Sequence, residues 1–149
     1  MKELSEGKIG KIVFYRISEN EDLLEALKKR AKKSMIKSGF FILIGSLKKA
    51  KLGFYKEGKY QEISLEKPLE IASCMGNVST REDGELIVHA HLVVSDENGN
   101  AYGGHLLPEC KVAATAEFIL IEAKDVSLKR KFDGKTGLYL LSTEESESK

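Results

Sequence analysis

Residues 86–107 of this 149-residue chain read LIVHAHLVVSDENGNAYGGHLL, two apolar runs on either side of a polar turn. β-Branched residues dominate the first run, and Asn98-Gly99 is a turn signal typical of a β-hairpin. Alternate side chains of a strand point to opposite faces, so His89 and His91 share one face of the first strand. This stretch predicts an antiparallel hairpin with two histidines on one side.

The register of the hairpin determines where a third histidine lies. If residues 97–99 form a three-residue loop with a left-handed glycine, Asp96 pairs with Asn100 and His91 faces His105. Directly opposed residues have Cβ atoms about 4.5–5.5 Å apart, so three imidazoles then converge on one face. A two-residue loop would instead place His105 on the opposite face.

The three histidines of the chain, His89, His91 and His105, all lie in this hairpin. Three converging imidazoles match the ligand set of a zinc site whose fourth position is open to water or a further ligand. Imidazole also suits nickel, copper and iron, so the pattern predicts a transition-metal site with zinc as the first choice. The alternative interpretation is three ordinary polar side chains on a half-exposed sheet.

A metal site could also support hydrolysis, because metal-bound water ionises near neutral pH and then needs an acid/base group nearby. Glu70, Glu109 and Glu117 are candidates for that group, but nothing in the sequence places them beside the histidines. A cupin would carry a glutamate three or four residues after its His-x-His, whereas Glu97 comes later than that here. A metal-dependent enzyme, hydrolase-like or cupin-like, is therefore the alternative to a binding module.

The whole chain predicts an α+β fold, mainly antiparallel sheet packed with one principal helix. Ser18 followed by Glu21 has the form of a capping box, and the apolar spacing that follows predicts a helix ending at Gly39, with Met35 in its core stripe. The polar residues 77–85 predict a loop. The predicted strands are 9–17, 40–47, 52–55, 60–65, 69–75, 86–94, 102–107, 112–123, 126–132 and 138–141.

Length and composition predict one soluble globular domain. We divide the chain into an N-terminal extension (1–8), a single domain (9–142) and a disordered tail (143–149). The polar N-terminus lacks the apolar stretch of a signal peptide, and no segment is apolar enough to span a bilayer. The chain has two cysteines, Cys74 and Cys110, which is too few for a disulfide scaffold. We predict that both are small buried residues. We therefore expect a cytoplasmic protein that does not bind membranes.

The charge balance argues against a dedicated nucleic-acid binder. The chain has 24 Lys+Arg and 23 Asp+Glu, a net charge of +1, which removes the strong positive field that such proteins usually carry. Basic residues are concentrated in the predicted helix at 28–37, opposite its apolar stripe. This arrangement predicts a solvated helix face rather than a phosphate-binding surface.

A series of short motifs runs in order from about Ile9 to Leu141. The most specific pair is His89-Ala90-His91 with Gly103-Gly104-His105-Leu106. The others are Phe14-Tyr15-Arg16, Ile44-Gly45-Ser46-Leu47, Ala50-Lys51-Leu52-Gly53-Phe54-Tyr55, Tyr60, Pro68-Leu69-Glu70-Ile71, Gly76 and Ala116-Glu117-Phe118. In combination they resemble the plants-and-prokaryotes-conserved (PPC) domain, in its prokaryotic single-domain form.

The resemblance implies an antiparallel sheet packed with a helix, a homotrimer and, as in some prokaryotic members, a metal bound by histidines. Members are commonly described as candidate DNA-binding proteins, and plant members carry an AT-hook, with an Arg-Gly-Arg-Pro core, outside the domain. Neither proline of this chain follows an arginine, so no hook exists here and we expect DNA binding to be weak or indirect. The predicted function is that of a homotrimeric, zinc-binding module that acts by binding or regulation, and a small ligand can also bind at the metal.

Overall fold

The computed structural model describes residues 5–142. They form a nine-stranded sheet and one helix, and the pairings of the sheet are antiparallel except for that of β4 with β8. The expected α+β class is confirmed. The predicted tail at 143–149 lies outside the described residues. The elements are β1 (Lys8–Ser18), α1 (Leu23–Ser34), β2 (Gly39–Lys56), β3 (Lys59–Leu65), β4 (Leu69–Arg81), β5 (Leu86–Ser95), β6 (Ala101–Leu106), β7 (Lys111–Lys124), β8 (Lys129–Asp133) and β9 (Leu138–Ser142).

The helix begins later and ends earlier than the sequence predicted. Its N-cap is Asp22, whose side chain accepts a hydrogen bond from the backbone N–H of Glu25. Ser18, the predicted cap, is instead the last residue of β1, and its N–H donates to the Glu21 side chain at 2.8 Å. The helix is capped at its other end by Met35 in the left-handed conformation, which places that side chain in solvent rather than in the core.

β2 is one strand of 18 residues where the sequence predicted two. Gly39, the predicted helix end, is its first residue. A bulge interrupts its pairing with β4 and β7 at Gly45, which has φ 153°. A Cβ on Gly45 would lie 2.5 Å from the Cα of Ala116, so only glycine fits there. Beyond the bulge the strand pairs with β3 and β6, which makes β2 the centre of the fold.

β4 is also longer than predicted, because it continues to Arg81 and only a short turn follows. The predicted loop at 77–85 is therefore wrong for its first half. The backbone of Asn77 pairs with His89 and that of Ser79 with Ile87. Polar side chains are tolerated on this strand because they hydrogen-bond to a buried arginine, described below.

The core lies between α1 and the inner face of the sheet. Leu27 of α1, Phe41 of β2 and Leu92 of β5 are each 1% exposed. In β5 the alternation is strict, and Val88 and Val94 are buried on the face that excludes the histidines, as the sequence predicted. The inner face of the hairpin therefore packs in the core, while its outer face is free to form a site.

Among the residues described, no helix is both long and apolar enough to cross a membrane.

Candidate metal centre

The three histidines converge on the outer face of the β5–β6 hairpin. His91 lies opposite His105 in the antiparallel register, which confirms the three-residue loop. The ring centroid of His89 is 5.2 Å from that of His91 and 5.0 Å from that of His105. One ring nitrogen of each histidine lies within 4.8 Å of the other two. In a zinc site, each imidazole nitrogen lies about 2.0–2.1 Å from the ion. Small side-chain rotations would bring the three nitrogens close enough together to share one ion in this way.

Asp96 stabilises the turn that sets this register. Its Oδ1 accepts hydrogen bonds from the backbone N–H groups of Asn98 and Asn100, both at 3.0 Å, and its Oδ2 accepts one from Lys67 Nζ at 2.7 Å. The Lys67 ammonium, followed by the Asn100 groups, holds the pKa of Asp96 well below its usual value. A shift of one residue in the pairing of β5 with β6 would move His105 to the opposite face. By stabilising the turn, the Asp96 carboxylate therefore keeps His105 on the same face as the other two histidines.

His105 is covered by Tyr60 of β3. The two rings stack with their centroids 4.6 Å apart and their planes at 22°. Burial, reinforced by the charges of the neighbouring histidines, lowers the pKa of His105 to about 4, so the ring is neutral at neutral pH. Its Nδ1 is buried and has no hydrogen-bond partner within residues 5–142. A neutral imidazole with an unsatisfied ring nitrogen fits the role of a metal ligand.

The sequence reasoning missed Arg130, which belongs to β8 and adjoins His89. Its guanidinium is buried and donates from Nε to Ser79 Oγ at 2.9 Å and from Nη2 to Asn77 Oδ1 at 3.0 Å. The same Nη2 lies 3.3 Å from His89 Nδ1. Burial and then the charge of Arg130 lower the pKa of His89. In the sequence Arg130 is one of three consecutive basic residues, and no local pattern marks it as different from its neighbours.

The cluster is open on one side. His89 and His105 are half-buried, whereas His91 is exposed to solvent. Because His91 is one of the three converging rings, solvent and small molecules can reach the point on which the rings converge. The arrangement can therefore hold an ion by three neutral nitrogens and leave a coordination position for a further ligand.

The glutamates considered as acid/base groups lie elsewhere. Glu109 forms ion pairs with Lys51 and Lys49, while Glu70 and Glu117 are exposed on β4 and β7. The cluster formed by described residues consists of the three histidines alone and includes no carboxylate. The structure therefore does not bring these glutamates into the site.

The other residues singled out from the sequence have structural roles. Cys74 and Cys110 are buried free thiols, and burial raises the pKa of Cys74 to about 12 and that of Cys110 to about 11. On α1, Lys32 and Lys33 are exposed and Arg30 forms an ion pair with an acidic residue of the preceding turn. The prediction of small buried thiols is confirmed, and the basic side chains Lys32 and Lys33 are exposed as expected.

Fold and site together define a class of protein: a β-rich domain with an open three-histidine cluster on the outer face of a hairpin. The family model of the Plants and Prokaryotes Conserved (PCC) domain matches residues 4–124, which include all three histidines. The chain belongs to the Plants and Prokaryotes Conserved domain family, and the resemblance seen in the sequence is confirmed. The β8–β9 hairpin, with Arg130, lies beyond the matched residues.

Solved structures similar to this chain come from archaea and bacteria. A plant- and prokaryote-conserved protein of Pyrococcus horikoshii is 35% identical, with a TM-score of 0.84 over 92% of this chain and 94% of that one. The metal-containing protein AF0104 of Archaeoglobus fulgidus is 30% identical, with a TM-score of 0.82 over 95% and 99%. A candidate DNA-binding protein of Bacteroides thetaiotaomicron is 25% identical, with a TM-score of 0.82 over 92% and 95%.

Curated relatives contain a similar segment within a much longer protein. The bifunctional protein GlmU of Synechococcus sp. strain JA-3-3Ab is 32% identical over 130 residues, which are 87% of this chain. The matched segment is 20% of that relative's length, so the chain spans about a fifth of the curated relatives it matches.

Proposed function

We propose that this protein is a homotrimeric, zinc-binding module that acts in the cytoplasm by binding or regulation. The observation that carries the proposal is the convergence of His89, His91 and His105, with ring nitrogens within 4.8 Å of one another. The similarity to AF0104, a metal-containing protein, supports the binding of a metal by this chain. Zinc is preferred because three neutral imidazoles with an open fourth position are a common zinc ligand set. The free thiols of Cys74 and Cys110 agree with a reducing compartment.

A row of apolar side chains crosses the sheet and ends at the histidines. The register pairs Phe14 with Ile119, Ile119 with Ile42, Ile42 with Met75, and Met75 with His91. Cross-strand partners project from the same face, so this row and the histidine cluster share one surface. Phe14 is 74% exposed and Met75 is 59% exposed. The apolar face therefore extends well beyond Ile87 and Val93, which lie on the same face of β5 as the histidines.

This row supports the trimer. A groove of about 410 Å³ runs along it and is lined mainly by apolar side chains, among them Phe14, Ile42, Ile44 and Met75. A contiguous apolar surface of this kind on a soluble domain commonly marks a subunit interface. In the proposed trimer each copy covers this face with a neighbouring copy, and the histidine cluster lies at the end of the interface.

DNA is the weaker part of the proposal. Similar structures include a candidate DNA-binding protein of Bacteroides thetaiotaomicron. The net charge of +1, however, limits the phosphate neutralisation on which sequence-independent affinity depends. We therefore propose that contact with DNA is weak and non-specific or is made through a partner protein.

The alternative of a metal-dependent enzyme would need a proton-transfer group beside the histidines. The candidate glutamates lie elsewhere in the described fold, and Glu109 is engaged with two lysines. The open side of the cluster at His91 suits ligand binding, and we therefore propose binding rather than hydrolysis as its role.

Metal analysis of purified protein without a histidine tag tests the proposal. After supply of zinc we expect about one ion per chain in the parent, and loss of that ion in His89→Ala, His91→Ala and His105→Ala. Val93→Ala is the matched control, because Val93 projects from the same face of the same strand as His91 and is itself partly exposed. A parent protein that stays metal-free would contradict the proposal, as would histidine variants that keep their metal.

A further inference from the structure

In the part of the chain that the structure describes, Arg130 is a buried cation that has no anionic partner. Its side chain is 6% exposed, and its hydrogen-bond acceptors are Ser79 Oγ, Asn77 Oδ1, the Tyr139 carbonyl oxygen and His89 Nδ1, all of them neutral. Within residues 5–142 no carboxylate oxygen lies within 4.0 Å of its nitrogens, since none of the ion pairs there includes it. Burying an unpaired charge is costly, so such an arrangement is retained where the charge has a further use.

The contact between Arg130 and His89 conflicts with metal binding. A guanidinium can only donate, so Nδ1 of His89 accepts and the neutral ring carries its proton on Nε2. A metal at Nδ1 would displace the Arg130 N–H directly. A metal at Nε2 would move the proton to Nδ1, where it would face Nη2 as a second donor at 3.3 Å. In both cases an N–H group of Arg130 beside the ion needs a new acceptor.

The positive charge of the site indicates which chemical group would accept the hydrogen bond from Arg130. A divalent ion on three neutral imidazoles keeps its two positive charges, and Arg130 adds a third in the same half-buried site. Among residues 5–142, no carboxylate belongs to the cluster and offsets these charges. An oxyanion group fits this need, because one oxygen can occupy the open metal position while another accepts from the guanidinium, whose geometry matches carboxylate and phosphate groups. His91 is exposed in the single chain and lies at the end of the proposed interface, so a ligand can reach the cluster from solvent.

We propose that Arg130 makes the three-histidine centre a binding site for an oxyanion, a carboxylate or phosphate group held between the metal and this guanidinium. This inference rests on the proposed metal site and adds the chemical class of its ligand. Arg130 is a binding residue in this proposal, and the β8–β9 hairpin is the element that supplies it. Ser79 and Asn77 hold the guanidinium in place by accepting hydrogen bonds from its Nε and Nη2.

Titration with Co²⁺ tests the inference, because its visible spectrum reports both occupancy and the exogenous ligand. The titration is made in chloride alone, with added acetate and with added inorganic phosphate. For the parent we expect at least one of the oxyanions to change the spectrum and to tighten Co²⁺ binding about tenfold, equivalent to about 1.4 kcal/mol. The acetate and phosphate arms show which oxyanion class is preferred, and chloride has no second atom to reach Arg130.

Arg130→Met should still bind Co²⁺ in chloride, with equal or higher affinity, but should lose the oxyanion effect. The matched control is Arg81→Met, since Arg81 is the register neighbour of Arg130 in the β4–β8 ladder and pairs with surface acids. Arg130→Lys keeps the positive charge and replaces Arg130→Met in the experiment if the methionine variant does not fold. For the lysine variant we expect a reduced oxyanion effect.

The inference is overturned if Co²⁺ binds but no oxyanion changes its spectrum or affinity, or if the Arg130 variants retain the full effect. A parent that binds no Co²⁺ in any arm overturns the metal proposal itself, and the inference with it.

Discussion

His91 lies directly opposite His105 across the β5–β6 ladder, with ring centroids 5.4 Å apart and ring planes at 90°. The pairing follows from the turn, in which the Asp96 N–H donates to the Asn100 carbonyl and Gly99 has φ 76°. A three-residue turn with a left-handed third residue thus brings together two histidines on different strands of the hairpin.

Gly99→Ala tests whether this turn requires a residue that readily adopts the left-handed backbone conformation. We expect it to lower the free energy of unfolding by about 1–2 kcal/mol, because alanine resists the left-handed conformation while the space around Gly99 is open. Gly134→Ala is the control, since Gly134 also lies in an open turn but has no positive φ. Denaturant unfolding of the metal-free variants measures both. Equal stability of the two variants would contradict the assigned role of Gly99.

Tyr60→Ala should weaken metal binding by about tenfold, the lower end of the range for residues that orient a ligand. The reason is that Tyr60 covers His105 and restricts the orientation of its ring. Tyr60→Phe keeps the aromatic ring and should bind metal as the parent does. Competition with a chromophoric chelator gives the affinities, and an equal loss in both variants would point to the hydroxyl instead of the stacked ring.

Asp96 should make stability depend on pH in the acid range. Its folded pKa is lowered, chiefly by Lys67, so the unfolded chain takes up the proton first as the pH falls. The stabilisation is complete well above the unfolded pKa of about 3.9 and is lost progressively as the pH falls through and below that value. Unfolding of Asp96→Asn should be less sensitive to acid over this window than that of the parent. Parallel pH profiles of the two proteins would refute this prediction.

Ile42→Lys should dissociate the proposed trimer, because Ile42 is central in the apolar row and a buried lysine would carry an unpaired charge into the interface. Ile63→Lys is a matched control: Ile63 is 42% exposed and Ile42 is 43% exposed, but Ile63 belongs to β3. Sedimentation equilibrium at micromolar concentration should give trimer for the parent and the control, and monomer for Ile42→Lys. A monomeric parent would exclude the assembly.

Binding to DNA should be weak and without sequence preference, and it should fall steeply as salt is raised. The expectation rests on the net charge of +1 and on the ion pairing of Arg30 on the basic helix. An electrophoretic titration of the isolated protein at physiological salt checks it, with an unrelated duplex as competitor. Tight binding that survives the competitor would show direct and specific recognition.

The hairpin and its histidines could be predicted from the sequence because the determining interactions are local. Alternation places His89 and His91 on one face, and the length of the loop between two strands sets which residue faces His105. Both depend on residues within one short stretch. The fold class could be predicted for a similar reason, since strand and helix periodicities are properties of single segments.

The remaining features depend on contacts between segments distant in sequence. Asn77 and Ser79 read as loop residues, yet they belong to β4 because their polar groups hydrogen-bond to Arg130. Tyr60 reaches His105 only because β2 pairs with both β3 and β6. In the sequence, Arg130 is one of three consecutive basic residues. In the structure, the parallel pairing of β8 with β4 buries it beside His89. Local propensity does not encode contacts with distant segments. The convergence of the histidines could therefore be predicted from the sequence, whereas their surroundings depend on the packed sheet.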